Sequence, residues 1–366
     1  MGLGKTLQAI TLLLHLHEAG LLKDEHGRTR PALVVVPPGL LRNWQREFAK
    51  WAPRLLVDTY HGLHRELPPN RGEGTDVVLT TYHMVRNDCN KLCDADRISF
   101  SGMIIDEAQC IKNHSIKMTK AVKEVGNAIG HTRIALSGTP IENKVDELHS
   151  IFDFVNYGYL GSHASFSLQF SKQIEQNRDP QRRSDALDLL RRLTRPFQLR
   201  RLKTDPNILP DLPEKIDLLD TVELTPEQQR LYVAVQEEFR STMQGSRARS
   251  GNHRFERRGH IFAMLERVRR ICSHPESLDR AQFPESCRGM PVSASPAASG
   301  KTARLFELLE EIIHNGQKVI VFVTRKKVLT VLNRLISERF GQVRVLSFSG
   351  DLSLQERNSV EQDFSV

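Results

Sequence analysis

The chain has 366 residues, of which 39% are hydrophobic, so its composition allows two or three packed domains. No apolar run reaches the roughly 20 residues that a membrane-spanning helix needs, and no signal-peptide pattern occurs, so we expect a cytoplasmic, nucleoid-associated location. Five scattered cysteines, an odd number, indicate reduced thiols and argue against a disulfide-stabilised secreted protein.

The charge distribution favours a polyanionic partner. The formal net charge is +8 and the pI is near 9.3, a balance that attracts nucleic acid. Arginines crowd residues 178–203 and 240–270. Each cluster fits either the solvated face of a helix or a surface that contacts phosphates, and the sequence leaves both interpretations open.

The first residues have the pattern of a phosphate-binding loop. Gly4, Lys5 and Thr6 fill the last three positions of G-x-x-x-x-G-K-[ST], in which backbone N–H groups and the Lys bind phosphates and the hydroxyl holds Mg²⁺. The apolar run 7–16 predicts the helix that follows such a loop. An N-myristoylation signal, M-G-x-x-x-[ST], fits the same residues but does not explain that helix. The pattern starts before Met1, so we expect a chain that is cut at its start.

Short β-branched runs alternate with helical patterns up to residue 155. Runs that are apolar on both faces and separated by helices predict a parallel sheet covered on both sides. The predicted strands are 32–36, 55–60, 77–82, 103–105 and 133–136. A helix after the first strand carries Trp44, Phe48 and Trp51 at a spacing that predicts its buried stripe.

Polar side chains follow two of these strands. Asp106 and Glu107 come directly after an apolar strand, where the carboxylates of a P-loop ATPase bind Mg²⁺ and polarise the attacking water. Ser137 and Thr139 follow the next strand. Because parallel strands end at the same edge of a sheet, we expect these side chains near Lys5, where the two hydroxyls would sense the nucleotide.

Three further segments are predicted after residue 155. Residues 156–283 form a helical insertion and interdomain region, residues 284–300 a linker, and residues 301–366 a partial second α/β domain. The predicted helices are 182–194, 226–243, 255–272, 303–314, 326–340 and 354–364, and the predicted strands are 215–224, 318–323 and 343–348. A sheet of so few strands leaves an unpaired edge, so the chain also looks cut at its end.

The order of these motifs resembles the Swi/Snf family of superfamily-two helicase-like ATPases over nearly the whole chain. The matching segments are Gly2-Leu3-Gly4-Lys5-Thr6 for motif I, Asp106-Glu107-Ala108-Gln109 for motif II and residues 136–143 for motif III. The sequence of motif III is highly specific for this family. The sequence of motif II is similar to that of bacterial RapA/HepA-like members. The resemblance implies a RecA-like P-loop domain, a helical insertion and an incomplete second RecA-like domain.

The same resemblance implies that the chain couples ATP hydrolysis to translocation along double-stranded DNA, without strand separation. It assigns phosphate contact to Lys5, Mg²⁺ to Thr6 and Asp106, and activation of water to Glu107. Further nucleotide-binding positions are Gly2, Leu3, Gly4, Gln109, Ser137 and Thr139. Contacts to the DNA backbone, without sequence readout, are implied for Thr80, Thr81, Lys112, Asn113, Arg325 and Ser349.

Two parts of the family pattern are not found in this sequence. They are the adenine-reading segment before motif I and motifs V and VI, whose arginines stabilise the transition state. We therefore expect slow ATP hydrolysis by this chain, below about 0.1 s⁻¹. Two alternatives are a non-catalytic DNA-binding remnant and a split motor half that needs a protein partner. A small-molecule P-loop kinase does not explain residues 136–143.

Overall fold

The computed structural model describes residues 2–68, 74–129, 132–138, 144–205, 207–208, 210–247 and 254–365. The chain divides into two compact units, Met1–Glu214 and Lys215–Val366, called here the first and the second unit. This division falls inside the predicted helical region 156–283, and the predicted domain boundaries stay predictions. No helix within the described residues is long and apolar enough to cross a membrane.

A parallel sheet of five strands forms the centre of the first unit. Its strands are β1 (Ala32–Val36), β2 (Val57–Tyr60), β3 (Val77–Thr81), β4 (Gly102–Ile105) and β5 (Thr132–Ala135). They lie in the order β2-β3-β1-β4-β5, and every neighbouring pair is parallel. The predicted α/β class and the five strand positions of this unit are confirmed, with ends that differ by one or two residues.

Helices cover both faces of this sheet. They are α1 (Lys5–Glu18), α2 (Leu41–Trp51), α3 (Tyr82–Asn87), α4 (Cys89–Leu92), α5 (Lys117–Ile129) and α6 (Val145–Val155). Because successive strand residues point to opposite faces, Leu33 and Val35 pack against α3, α5 and α6, whereas Val34 and Val36 pack against α1 and α2. All five residues of β1 are buried, which stabilises the unit by roughly 1.5–3 kcal/mol for each large apolar side chain.

The buried stripe of α2 is shorter than predicted. Trp44 and Phe48 are fully or almost fully buried, as expected, but Trp51 is 46% exposed. Trp51 is the last residue of α2, and its indole Nε1 donates to the carboxylate of Glu47 at 2.8 Å on the exposed side. The prediction that Trp51 lies in the core is therefore wrong.

A smaller helical layer completes the first unit. It contains α7 (His163–Phe166), a π-helical turn over Ser167–Ser171, α8 (Lys172–Glu175) and α9 (Pro180–Thr194). Phe166, Phe170 and Leu190 pack with apolar residues of α6 in a separate core. Helix α9 begins at Pro180 because Asp179 caps it, accepting a hydrogen bond from the Gln181 backbone N–H at 3.0 Å.

The second unit is mainly helical. Its helices are α10 (Pro226–Arg247), α11 (Arg254–Ser273), α12 (Gly300–His314), α13 (Lys326–Arg339) and α14 (Leu354–Ser365). A capping box starts α10: the Gln228 N–H donates to Thr225 Oγ1 at 3.2 Å, and the Thr225 N–H donates to Gln228 Oε1 at 3.1 Å. Phe306 and Leu335 form part of the core between α12 and α13.

The strands predicted for the second unit are wrong. Residues 215–224, 318–323 and 343–348 carry no strand assignment in the structure. Segments 318–323 and 343–348 line the same cavity of about 310 Å³, together with residues of α13, instead of pairing with each other. A β-strand is stable only when its N–H and C=O groups are paired, so apolar composition alone does not produce one.

Candidate functional site

The glycines of the N-terminal loop give it a left-handed backbone. Gly2 has φ +75° and Gly4 has φ +72°, a region that residues with a side chain rarely adopt. Gly4 is the N-cap of α1, and no acidic residue lies in the first turn of that helix. The unpaired N–H groups of this helix end create a positive local potential. The half-buried side chains of Lys5 and Thr6 belong to this first turn.

Asp106 is a buried carboxylate at the end of β4. Only 4% of the residue is exposed. Its Oδ2 accepts a hydrogen bond from the indole Nε1 of Trp44 and its Oδ1 accepts one from the Glu107 backbone N–H, both at 2.9 Å. Burial raises the pKa of Asp106, while these two hydrogen bonds and the nearby charge of Lys5 act in the opposite direction. The charge of Lys5 is therefore near enough to this carboxylate to influence its pKa.

A line of side chains connects the predicted motifs II and III. Gln109 Nε2 donates to Glu107 Oε2 at 2.6 Å, and Gln109 Oε1 accepts from Ser137 Oγ at 2.9 Å. The backbones approach as well, because the Ala108 N–H donates to the Leu136 carbonyl at 2.9 Å. Glu107, Gln109 and Ser137 are therefore joined in one hydrogen-bonded line.

Glu107 has a strained backbone. Its φ is +50°, and within the described residues it is the one non-glycine residue with a positive φ. Such a conformation costs of order 1–3 kcal/mol and persists only where the surroundings hold it. The peptide N–H of Glu107 is held by Asp106 and its carboxylate by Gln109. The fold therefore fixes the direction of this carboxylate.

Two aromatic residues support the site in a way that the sequence did not indicate. Trp44 was predicted only as a core residue, yet its indole N–H binds Asp106. Tyr82 Oη donates to the backbone carbonyl of Asp106 at 2.6 Å, and burial raises the pKa of Tyr82 well above its usual value. The available signal was chemical, because a buried indole N–H or phenol O–H needs a polar partner.

The remaining nucleotide-binding predictions lie in the same loops, with one exception. Leu3 accepts a hydrogen bond at its carbonyl from Gln8 Nε2 at 3.2 Å, which ties the loop to α1. Ser137 and Gly138 line one cavity together with Lys5. Thr139 lies outside the described residues, so its predicted role stays a prediction.

The predicted DNA contacts of the first unit fall into two groups. Thr80 and Thr81 are fully buried; Thr80 Oγ1 donates to the Tyr60 carbonyl at 2.8 Å, and Thr81 Oγ1 has no hydrogen-bond partner among the described residues. Lys112 Nζ lies 3.7 Å from a carboxylate oxygen of Glu147. Asn113 is exposed. The DNA roles of all four stay predictions, and only Lys112 and Asn113 offer accessible polar atoms here.

Arg325 and Ser349 belong to the second unit. The guanidinium of Arg325 forms a bidentate ion pair with the carboxylate of Glu266, in which Arg325 Nη2 lies 2.6 Å from Glu266 Oε2. This hydrogen-bonded arginine holds the pKa of Glu266 below its usual value. Ser349 Oγ accepts the Asp351 N–H at 3.4 Å. Both residues lie beside the cavity that segments 319–325 and 346–351 line, and their DNA roles stay predictions.

Two protein-family models match the chain. A SNF2-related domain matches residues 1–277, and a helicase conserved C-terminal domain matches residues 300–365. YwqA of Bacillus subtilis, named as a candidate ATP-dependent helicase/translocase, is 34% identical over 367 residues, which cover 100% of this chain and 36% of that protein. The TATA-binding protein-associated factor MOT1 of Saccharomyces cerevisiae is 35% identical over 292 residues, 75% of this chain and 15% of that protein.

A solved structure matches at the level of the fold. The Sulfolobus solfataricus SWI2/SNF2 ATPase core in complex with dsDNA is 33% identical, has a TM-score of 0.51, and is matched over 100% of this chain and 69% of that chain. The chain spans 36% of the length of YwqA and 15% of the length of MOT1. The RapA/HepA-like subtype stays a prediction. Since the SNF2-related model covers the loop, Asp106 and Ser137 within one continuous match, the chain belongs to the SNF2 family of helicase-like proteins.

Proposed function

We propose that this chain is the motor part of an ATP-dependent translocase that acts on double-stranded DNA. The observation that carries the proposal is that Lys5, at the positive start of α1, lines one cavity with Ser137. Ser137 is hydrogen-bonded through Gln109 to Glu107, which directly follows the buried carboxylate of Asp106. A relative named as a candidate ATP-dependent helicase/translocase and a related ATPase core solved with dsDNA support the same function.

Lys5 and the N–H groups at the start of α1 bind the phosphates of ATP in this proposal. The helix end attracts anions, and the ammonium adds a full positive charge beside them. The strained backbone of Glu107 and its hydrogen bond from Gln109 hold its carboxylate ready to accept a proton from the attacking water. In this proposal, Lys5 and the start of α1 are enough to bind ATP. Glu107 is needed only for the hydrolysis step.

The residues present also fit a Mg²⁺ ion. Within the described residues, the buried carboxylate of Asp106 accepts hydrogen bonds from Trp44 and from the Glu107 backbone N–H alone, and burial raises its pKa, as expected where a cation would stabilise the charge. Thr6 and Asp106 would hold the ion. When bound, Mg²⁺ supplies positive charge that neutralises the phosphate oxygens.

Gln109 couples hydrolysis to the rest of the motor. Its amide contacts Glu107 at one end and Ser137 at the other, so a movement of Glu107 on nucleotide binding changes the position of Ser137. Ser137 follows β5, the edge strand of the sheet. The Glu107–Gln109–Ser137 line is therefore the route by which we expect nucleotide state to reach the residues predicted to contact DNA.

Contacts to DNA are proposed to be electrostatic and independent of sequence. The net charge of +8 favours a polyanion, and phosphate contacts position a protein without reading bases. Lys112 and Arg325 already face Glu147 and Glu266, so DNA phosphates would compete with these carboxylates for the two cations. DNA affinity should therefore fall steeply with salt concentration.

The decisive experiment is an ATPase assay with and without double-stranded DNA. We expect DNA-stimulated hydrolysis in the chain and a loss of at least about 100-fold in Lys5→Ala, because the ammonium that binds phosphate is removed. Lys23→Ala, an exposed lysine after α1, is the matched control and should hydrolyse ATP at the unmodified rate. Equal rates in Lys5→Ala and Lys23→Ala would contradict the proposed site.

The same assay tests the expected slow turnover. A DNA-stimulated rate above about 0.1 s⁻¹ that disappears in Lys5→Ala would show that the chain needs no further residues for efficient hydrolysis. Salt-dependent DNA binding with no hydrolysis at any DNA concentration would instead support the alternative function, a DNA-binding remnant or a motor half that needs a partner.

A further inference from the structure

A cavity of about 280 Å³ opens beside the phosphate-binding loop of the first unit. One wall is formed by Leu3, Lys5 and Gln8, and another by the loop after β5. The opposite wall is a segment that follows α9, residues 197–203, which we call the strap. The strap has no role in the site described above.

Among the described residues that line this cavity, all the charges have one sign. Its lining includes the basic side chains of Lys5, Arg200, Arg201 and Lys203, and none of the described residues that line it is Asp or Glu. Lys203 is exposed and makes no hydrogen bond or ion pair with the described part of the chain. A cluster of cations attracts an anion, and the neighbouring loop has the geometry that binds phosphate.

The side chain of Lys203 lies against Gly2 of the loop. A methyl group added to Gly2 would lie 2.8 Å from Lys203 Nζ and 3.2 Å from Lys203 Cε. Contacts under 3.0 Å essentially never occur for a real Cβ, so the ammonium occupies the space that the missing side chain of Gly2 leaves open. The ammonium of Lys203 therefore lies beside the loop whose N–H groups bind phosphate in the proposed function.

We propose that Lys203 is a second phosphate-binding lysine, which holds the polyphosphate of a bound nucleoside triphosphate or diphosphate together with Lys5. The inference rests on the proposed function, since it uses the same nucleotide site. Lys5 approaches the phosphates from the start of α1, and Lys203 approaches them from the strap. An ammonium acts as a point charge on phosphate, so its contribution grows with the number of phosphates and is absent for a nucleoside.

The test is equilibrium binding of fluorescent ATP, ADP, AMP and adenosine analogues to the whole chain. We expect Lys203→Met to weaken binding of the ATP and ADP analogues by about tenfold, with little change for adenosine. Lys203→Arg, which keeps the charge, should stay within about threefold of the unmodified chain. Lys120→Met removes an exposed lysine of α5 that does not line the cavity, and it serves as the matched control.

Each result decides between phosphate binding and a structural role. Unchanged ATP binding in Lys203→Met overturns the inference, and the proposed function still stands if Lys5→Met abolishes binding in the same assay. Equal weakening for ATP and adenosine, with a lowered melting temperature of the nucleotide-free protein, also overturns it, because it shows that Lys203 only packs the strap. If the unmodified chain binds none of the analogues, the proposed function fails and the role of Lys203 fails with it.

Discussion

The sheet of the first unit and the apolar segments of the second unit have similar compositions and different structures. β1 is Ala-Leu-Val-Val-Val and pairs with β3 on one side and with β4 on the other, and every residue is buried. Segment 318–323 is also rich in Val, Ile and Phe, yet Ile320 is 62% exposed and Phe322 is 91% exposed. The difference shows that β propensity specifies a strand only where neighbouring strands complete its hydrogen bonds.

The helices of the second unit do not depend on such partners. α12 and α13 close their hydrogen bonds within four residues and bury Phe306 and Leu335 in a common core. Ser299 caps α12 by accepting a hydrogen bond from the Thr302 N–H at 3.3 Å. Local signals therefore predicted these helices well, whereas the strands predicted beside them would need pairing contacts that no local signal specifies.

Shortening one apolar side chain in each region should give the largest difference in the free energy of unfolding. Leu79→Ala in β3 removes a fully buried side chain and should lower the free energy of unfolding by about 2–5 kcal/mol. Phe322→Ala removes an exposed side chain and should change it by less than about 0.5 kcal/mol.

Urea unfolding separates these two effects. Both tryptophans of the chain, Trp44 and Trp51, lie in the first unit, so their fluorescence follows that unit alone. Far-UV circular dichroism follows the helices of both units. A large loss of stability in Phe322→Ala would show that segment 318–323 is packed in solution, and the contrast with β1 would not hold.

The next effect concerns the two tryptophans of α2. Trp44→Phe keeps an aromatic ring but removes the hydrogen bond to the buried carboxylate of Asp106, so we expect a loss of about 1–3 kcal/mol. Trp51→Phe removes an exposed hydrogen bond to Glu47 and should cost less than about 0.5 kcal/mol. Each variant keeps one tryptophan as the fluorescent probe. Equal losses in the two variants would mean that the bond to Asp106 contributes nothing particular.

A smaller effect is expected from the Arg325–Glu266 pair of the second unit. The hydrogen bond from Arg325 lowers the pKa of Glu266, so this carboxylate contributes stability above its usual pKa and loses it as the pH falls through the lowered value. Glu266→Gln should therefore flatten the acid side of the stability curve. Hydrogen exchange in α11, measured from about pH 6 to about pH 3, tests this slope. An unchanged slope in Glu266→Gln would contradict the prediction.

The smallest expected effect comes from His114 in the first unit. Burial and the neighbouring imidazole of His163, whose ring centre lies 3.9 Å away, lower the pKa of His114; Lys123 and His149 act in the same direction and Asp146 against it. The unfolded chain then takes up a proton first, so stability falls as the pH drops through about 6.5. His114→Gln should reduce this fall.

Tryptophan fluorescence in urea at several pH values between about 5 and about 8 measures the His114 effect. His15→Gln, on an exposed position of α1, is the matched control. A pH dependence that is the same in His114→Gln and in the unmodified chain would exclude the imidazole pair as its source.

Local patterns predicted the elements of the candidate site but not their contacts. The Gly-Lys-Thr pattern predicted the loop, and the apolar run ending at Asp106 predicted β4 with its carboxylates. The hydrogen bond from Trp44 to Asp106 joins residues 62 positions apart, and the Gln109–Ser137 bond joins residues 28 positions apart. Such long-range bonds follow from the order β2-β3-β1-β4-β5, which no periodicity in the sequence reports.

The sequence by itself predicted the candidate site residues and, to within a few residues, where the helices begin, because helix hydrogen bonds, caps and glycine conformations are local. Only the tertiary structure decided which apolar segments became strands and which of Trp44 and Trp51 was buried. It also decided that Gln109 is hydrogen-bonded to both Glu107 and Ser137. It also brought Lys203 to the loop that contains Gly2. The physical reason is that strand pairing and burial depend on residues distant in sequence, and their free energy is gained only when those residues meet.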